Sequence, residues 1–259
     1  MDAERVPNVL SIAGSDPTGG AGLQLDLQVF SCHGAHGMAV PTALTVQSTK
    51  GIRRVLPAFP TTVGEQLETL LGDIRPDAVK LGMLATDDVL LRIAHLLEGY
   101  DGPLVIDPVL RASDGSFLLE RRAWPNLSER IIAGATLVTP NLAEAEALTG
   151  TRDPEEAARC MRDFGAKAVL ITGGHASGDP DDFLLSDAGG QWLRGTRQAT
   201  GPVHGTGCAL SSAIAARLAR GEDLLAAVER AKHFVERAIA RAYAAGSGAR
   251  LLRLEPVSD

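Results

Sequence analysis

Residues 8–30 read NVLSIAGSDPTGGAGLQLDLQVF, and this stretch decides the fold. Val9-Leu-Ser-Ile-Ala13 is a short apolar run, and a glycine-rich loop follows from Gly14 to Gly22. Leu23, Leu27 and Phe30 then recur at i, i+4 and i+7, the spacing that gathers apolar side chains on one helical face. Strand, glycine loop and helix make one βα unit.

Working outward, the same unit recurs. Ala78-Val-Lys-Leu81 ends in Gly82-Met83 and precedes a helical stretch from Asp87 to Glu98. Leu104-Val-Ile106 runs into Asp107-Pro108, and Thr136-Leu-Val138 ends in Thr139-Pro140-Asn141 ahead of a helical Leu142 to Leu148. Ala168-Val-Leu-Ile171 ends in Thr172-Gly173-Gly174. Short apolar strands without alternation are those covered on both faces by helices. Their polar, Gly and Pro residues gather at the C-terminal ends, the edge where open α/β sheets bind ligands. Asp182 to Leu185 and Gln191 to Leu193, split by Asp187-Ala-Gly-Gly190, read as a hairpin. Leu210, Ile214 and Leu218, then Leu224, Val228, Ala231, Val235 and Ile239, mark a helical C-terminal part. No long linker, low-complexity tract or repeat intervenes, so residues 1–259 read as a single α/β domain.

The composition, 45% hydrophobic and 22% charged over 259 residues, is that of a globular protein. A net charge of −7 and a pI near 5.4 argue against a general nucleic-acid binder, which needs a basic face. An anionic substrate stays open, because backbone amides at a helix end bind phosphate whatever the global charge. Cys32, Cys160 and Cys208 are odd in number and form no CxxC pair, which argues against a zinc ribbon or disulfide framework. Free thiols suit a reducing cytosol. No signal peptide is evident, and no apolar run reaches the ~20 residues of a membrane span. The expectation is a cytoplasmic protein without nucleic-acid or membrane partners.

The most informative segment is His204-Gly205-Thr206-Gly207-Cys208-Ala209-Leu210, two glycines immediately before an amphipathic helix. The first helical amides lack internal partners and carry partial positive charge, so they can stabilise a transferring phosphoryl group. The alternative is an ordinary glycine turn capped by Thr206. Asn141 and Glu144 can lie on one helical face and hold the waters of a hydrated Mg²⁺. Equally, Asn141 can cap the helix and Glu144 complete a capping box. Asp107 ends a buried strand, where a charge is costly unless paired or metal-bound. Asp26, one turn into the first helix, can face a ligand or solvate the helix.

Together these segments resemble the hydroxymethylpyrimidine/phosphomethylpyrimidine kinases of the ribokinase-like superfamily. The stretches that carry the resemblance are IAGSDPTGGAGLQLDLQVF (12–30), ALTVQST (43–49), VKLGML (79–84), IDPVL (106–110), TPNLAEAEAL (139–148), TGGH (172–175) and HGTGCALSSAIA (204–215). Their order matches the family and they span nearly the whole chain. The Gly-Thr-Gly-Cys signature is rather specific, since most ribokinase-like enzymes have Asp where this family has Cys. The resemblance implies a three-layer α/β/α sandwich with a mostly parallel central sheet. It implies ATP- and Mg²⁺-dependent phosphorylation of the hydroxymethyl group and then of the resulting monophosphate, in thiamine precursor synthesis.

Carried over by motif, Gln47 would hydrogen-bond the aminopyrimidine ring, with Met83 and Gly14 near it, and Asp26 would hold the hydroxymethyl end. Asp107, Asn141 and Glu144 would serve the Mg²⁺–phosphate region, Glu144 and Asp107 holding the metal through water. Thr172, Gly174 and Lys232 would lie at the ATP phosphates. Gly205, Thr206 and Gly207 would form the anion hole, and Cys208, its thiol lowered toward neutrality by the helix N-terminus, would be the catalytic base or orient the attacking hydroxyl. A homodimer is expected. Two departures stand out: Thr172 replaces a Lys that many members carry, with Arg111 or Lys232 as candidate substitutes, and Gly201-Pro202-Val203 replaces the usual Asn-Thr-His lead-in. The nearest rival is a pyridoxal kinase, and a rival of another class is a non-catalytic binder of thiamine precursors. A Rossmann dehydrogenase fits less well, because Gly14 to Gly22 lacks GxGxxG spacing.

Overall fold

Neighbouring residues of a strand point to opposite faces of its sheet, and in this chain both directions are apolar. The computed structural model describes residues 5–112, 115–174, 179–198 and 200–257. Val9 and Leu10, Ala78 and Val79, Val105 and Ile106, and Leu137 and Val138 each send one side chain into each of two separate cores. A sheet with two apolar faces needs a helical layer on each, which makes three layers.

The sheet contains β1 (Asn8–Ser15), β2 (His36–Ser48), β3 (Gly51–Pro57), β4 (Ala78–Leu81), β5 (Leu104–Ile106), β6 (Leu137–Val138), β7 (Val169–Ile171), β8 (Asp182–Ser186) and β9 (Gly189–Leu193). Their order is β3-β2-β1-β4-β5-β6-β7-β8-β9. The strands from β2 to β7 are parallel, and antiparallel partners close both edges. One face carries α1 (Gly22–Cys32), α7 (Thr206–Ala219) and α8 (Leu224–Ala240). The other carries α2 (Pro60–Asp73), α3 (Asp87–Leu96), α5 (Leu142–Thr149) and α6 (Pro154–Asp163). An irregular helical run over 121–134, containing the single turn α4 (Trp124–Asn126), packs there too. The expected α/β/α sandwich is present.

The strand pair β2–β3 escapes a reading of sequence pattern, because Gly37 and Pro41 lie inside β2 and read as breakers. Pro41 is tolerated because the register of β2 against β1 shifts beside it: Ala13 pairs with Pro41, and Gly14 with Ala43. The small parallel pair β10 (Val203–His204) and β11 (Arg250–Leu251) was equally hidden, being two residues long on each side. The helix expected over Asp87 to Glu98 ends at Leu96, and the second hairpin strand begins at Gly189 rather than Gln191. Among the described residues no helix is long and apolar enough to cross a membrane.

The chain leaves β1 toward β2 and returns on the other side of β1 to β4. Such a reversal of direction opens a crevice above the strands' C-terminal ends.

Candidate active site

A cavity of about 510 Å³ lies at that crevice. The loop after β1 contributes Gly14 and Asp16, the far half of β2 contributes Thr45 and Gln47, and the end of β4 contributes Lys80 and Met83. Asp107, Asn141 and Glu144 form part of the wall, and Gly205 to Cys208 another part. Ten of the residues expected at a site are thereby brought together from six distant parts of the chain.

The start of α7 is shaped for an anion. Gly205 is its N-cap at φ +80°, and a Cβ there would run into the Gly20 carbonyl oxygen, so only glycine fits. No side chain caps this helix, and Thr206 is its first residue rather than its cap. The capping alternative for Thr206 is therefore wrong, and the first amides face the cavity with their hydrogen-bonding capacity unspent. A helix start in that condition attracts negative charge.

At Asn141 and Glu144 the capping alternative holds. Asn141 Oδ1 accepts from the Ala143 and Glu144 amides at 2.9 and 3.0 Å, and Glu144 Oε2 accepts from the Asn141 amide at 2.9 Å, completing a capping box. The same carboxylate is buried in the cavity wall. Burial, with the neighbouring Asp107 charge adding to it, pushes the Glu144 carboxyl up to about 8. Burial also raises Asp107, against the opposing pull of Lys80. Two buried carboxylates whose proton affinity is raised, Glu144 in part by Asp107, suit a hard divalent cation, and a hydrated Mg²⁺ needs only one or two carboxylates. Among the described residues no cluster of three or more His, Cys, Asp or Glu accompanies them.

Asp26 departs from expectation. It is fully buried beneath the cavity, where its oxygens take bonds from Ser11 Oγ at 2.6 Å, Ser212 Oγ at 2.7 Å and Lys80 Nζ at 2.9 and 3.1 Å. It does not line the cavity, so its carboxylate has no oxygen to offer a hydroxymethyl group; it is the counter-ion of Lys80. Lys80 carries the charge that does reach the cavity. Burial works against that charge, but Asp26 outweighs it and holds the ammonium above its ordinary range. A lysine inside an otherwise apolar four-residue strand was the sequence signal for this pair.

Cys208 is half-buried at the cavity, between Lys80 and Asp107. Protein crowding around the sulfur pushes its thiol up to about 12, with Asp107 and Asp26 adding to the effect and Lys80 opposing it. The helix start does not bring this thiol toward neutrality, which corrects the expectation of a ready thiolate.

Thr172, Gly174 and Lys232 do not line the cavity. Thr172 follows β7 and bonds back to the Pro140 carbonyl, and Lys232 is committed to Asp182 Oδ2 at 2.6 Å and the Pro180 carbonyl at 2.9 Å. Lys232 therefore does not stand in for the missing lysine. Arg111 does line the cavity, its guanidinium 3.8 Å from the centre of the Phe117 ring. His175 of the TGGH stretch lies outside the described residues.

A polar chain that sequence reasoning missed joins three walls of the cavity. His204 Nε2 stands 2.9 Å from Asp16 Oδ2 and 3.0 Å from Gln47 Nε2, and Thr45 Oγ1 is 3.1 Å from Gln47 Oε1. His204 and Gln47 are 157 positions apart, so no local pattern links them. Burial favours a neutral Asp16, yet the bonds from His204 and Thr18 prevail and hold its carboxyl below the usual range.

Over residues 16–253 the sequence matches the family described as phosphomethylpyrimidine kinase. It is 40% identical over 247 residues to the hydroxymethylpyrimidine/phosphomethylpyrimidine kinase of Streptomyces coelicolor, covering 93% of this chain and 92% of that protein. The structure is similar to the crystal structure of phosphomethylpyrimidine kinase from Clostridium difficile 630, with a TM-score of 0.79 and 36% identity over 90% of this chain and 99% of that one. It is also similar to the pyridoxal kinase from Staphylococcus aureus in complex with AMP-PCP and pyridoxal, with a TM-score of 0.88 and 31% identity over 98% of this chain and 95% of that one.

Proposed function

This chain belongs to the phosphomethylpyrimidine kinase family and is a phosphotransferase, and on that premise we propose that it phosphorylates 4-amino-5-hydroxymethyl-2-methylpyrimidine, and then its monophosphate, with ATP. The product would feed thiamine synthesis. One observation carries the reading: an uncapped helix start, a buried carboxylate pair and a ring-sized polar edge at Gln47 share one cavity.

In this reading the amides of Thr206 and Gly207 take up charge on the transferring phosphoryl group, where positioned donors act most strongly. Asp107, Glu144 and Asn141 hold the metal region through oxygen donors, and Mg²⁺, when bound, neutralises phosphate charge. Lys80 supplies a fixed cation behind the anion hole, and Arg111 another at the cavity wall, stacked on Phe117. Gln47 and Met83 hold the heteroaromatic ring. Cys208, protonated in the free enzyme, orients the attacking hydroxyl rather than waiting as a thiolate.

A second reading, pyridoxal phosphorylation, is favoured by the structural likeness to the pyridoxal kinase. A product assay with ATP against hydroxymethylpyrimidine, its monophosphate and pyridoxal separates the two. Turnover of the pyrimidines at higher kcat/KM is expected; preference for pyridoxal would overturn the first reading, and turnover of none would leave a non-catalytic binder. We further propose a single domain that assembles as a homodimer through the β2–β3 pair, whose Leu44, Val46 and Leu56 are exposed. Sedimentation of the wild type against Leu44→Asp tests that assembly. The three cysteines are unpaired, which supports a cytoplasmic location.

A further inference from the structure

We infer that Asp16 and His204 lock the Gln47 amide in one of its two orientations, making both of them specificity-positioning residues for the substrate ring. The inference rests on the reading above that Gln47 meets the ring of a heteroaromatic alcohol. It begins with Asp16, whose Oδ1 accepts from the Thr18 amide at 2.9 Å and whose Oδ2 accepts from the Thr18 hydroxyl at 2.9 Å. An ionised carboxylate only accepts, so the His204 nitrogen 2.9 Å from Oδ2 must carry a proton, whether the ring is neutral or charged.

That same Nε2 lies 3.0 Å from one end of the Gln47 amide. A carboxamide's oxygen and nitrogen have nearly the same shape, so its neighbours decide which is which. A protonated Nε2 has no lone pair with which to accept from an amide N–H, so the amide must present its oxygen there, and the one proton is shared between that oxygen and Asp16 Oδ2. The other end of the amide gives an independent answer. Thr45 Oγ1 stands 3.1 Å from it, and the Thr45 hydroxyl already donates to the Ser15 carbonyl at 2.9 Å. With its one proton spent, that hydroxyl can only accept, which requires nitrogen. The structure places Gln47 Nε2 toward His204 and Oε1 toward Thr45, and both neighbours require the amide turned over, with its oxygen toward His204 and its nitrogen toward Thr45.

Once locked, Gln47 has one N–H and one oxygen lone pair left for a ligand, in a fixed arrangement. A ring nitrogen beside an exocyclic amine matches such a pair as acceptor and donor. A pyridine alcohol with a methyl group beside its ring nitrogen and its hydroxyl one carbon further on does not offer that pair in sequence. If the amide could turn freely, it would serve either pattern by a half-rotation, and the discrimination would vanish. His204 also directly precedes Gly205, so the ring-reading chain and the anion hole are held by one strand end.

Two measurements on the full-length protein test this. In the free enzyme, ¹⁵N-resolved spectra of the His204 imidazole should show the proton on Nε2; a neutral ring protonated on Nδ1 alone would overturn the inference. In steady-state assays, kcat/KM for hydroxymethylpyrimidine over its analogue lacking the amine should fall about tenfold or more in Asp16→Asn and His204→Phe. The change should come through KM for the alcohol, with KM for ATP held and Asp16→Glu recovering part of the ratio. An unchanged ratio in both folded variants refutes the positioning role. If the wild type phosphorylates neither alcohol, the functional reading fails, and the imidazole spectra still decide the lock.

Discussion

Glu144→Gln separates the capping role that the structure shows from the metal role proposed for the same side chain. The glutamine oxygen can still accept from the Asn141 amide, as Glu144 does at 2.9 Å, so the capping box survives. What disappears is a carboxyl whose proton affinity burial and Asp107 raise from 4.5 to about 8. A carboxyl raised on folding lends its stability below the unfolded value, and that stability drains away as pH climbs through the folded one. At 1.36 kcal/mol per unit, the metal-free wild type should lose about 3 kcal/mol between pH 5 and 8, or about 6–12 °C in Tm for a domain of this size. Asp107 is raised as well, so its titration acts in the same direction. The assay is thermal unfolding from pH 5 to 9 with chelator, repeated in saturating MgCl₂. Wild type should show the falling slope without Mg²⁺ and recover with it, whereas Glu144→Gln should be much flatter, respond weakly to Mg²⁺ and lose activity. A flat wild-type profile, or a variant running parallel to a steep one, would refute the reasoning.

Three further outcomes are expected. Gln47→Leu should raise KM for the pyrimidine far more than for ATP, because it removes the polar atoms that read the ring; equal rises would make Gln47 structural. Cys208→Ala should lower kcat by up to ~10²-fold with ATP binding kept, because the thiol orients the hydroxyl, and iodoacetamide should label Cys208 in the free enzyme slowly at pH 7.5, since burial pushes its thiol up to about 12. Fast labelling, read by peptide mass spectrometry, would restore the thiolate reading. Lys80→Met should cost about 3–5 kcal/mol by stranding Asp26, and adding Asp26→Leu should recover most of it; additive losses in urea unfolding would show that the two do not act as a pair.

The sequence by itself determined the class, the layers and most of the strand-end and helix-start residues that line the cavity. Apolar runs such as Leu104-Val-Ile106, each followed by polar or glycine residues, are local patterns, and they mark buried parallel strands and their ligand-binding ends. Asp107, Glu144 and Gly205 to Cys208 were legible for the same reason, since each sits directly at a strand end or helix start. Only the tertiary structure decided the partners. Asp26 is one helical turn past the glycine loop, but Lys80, 54 positions away, claims it. Lys232 looked free for a phosphate until Asp182 was found against it. The helix start beside Cys208 suggested a lowered thiol, and the surrounding protein raised it. The orientation of Gln47 depends on His204, Asp16 and Thr45, which three separate elements bring within hydrogen-bonding distance. Backbone pattern is set by near neighbours, whereas charge state and hydrogen-bond direction are set by whatever the folded chain packs against a group, and that is written nowhere in its local sequence.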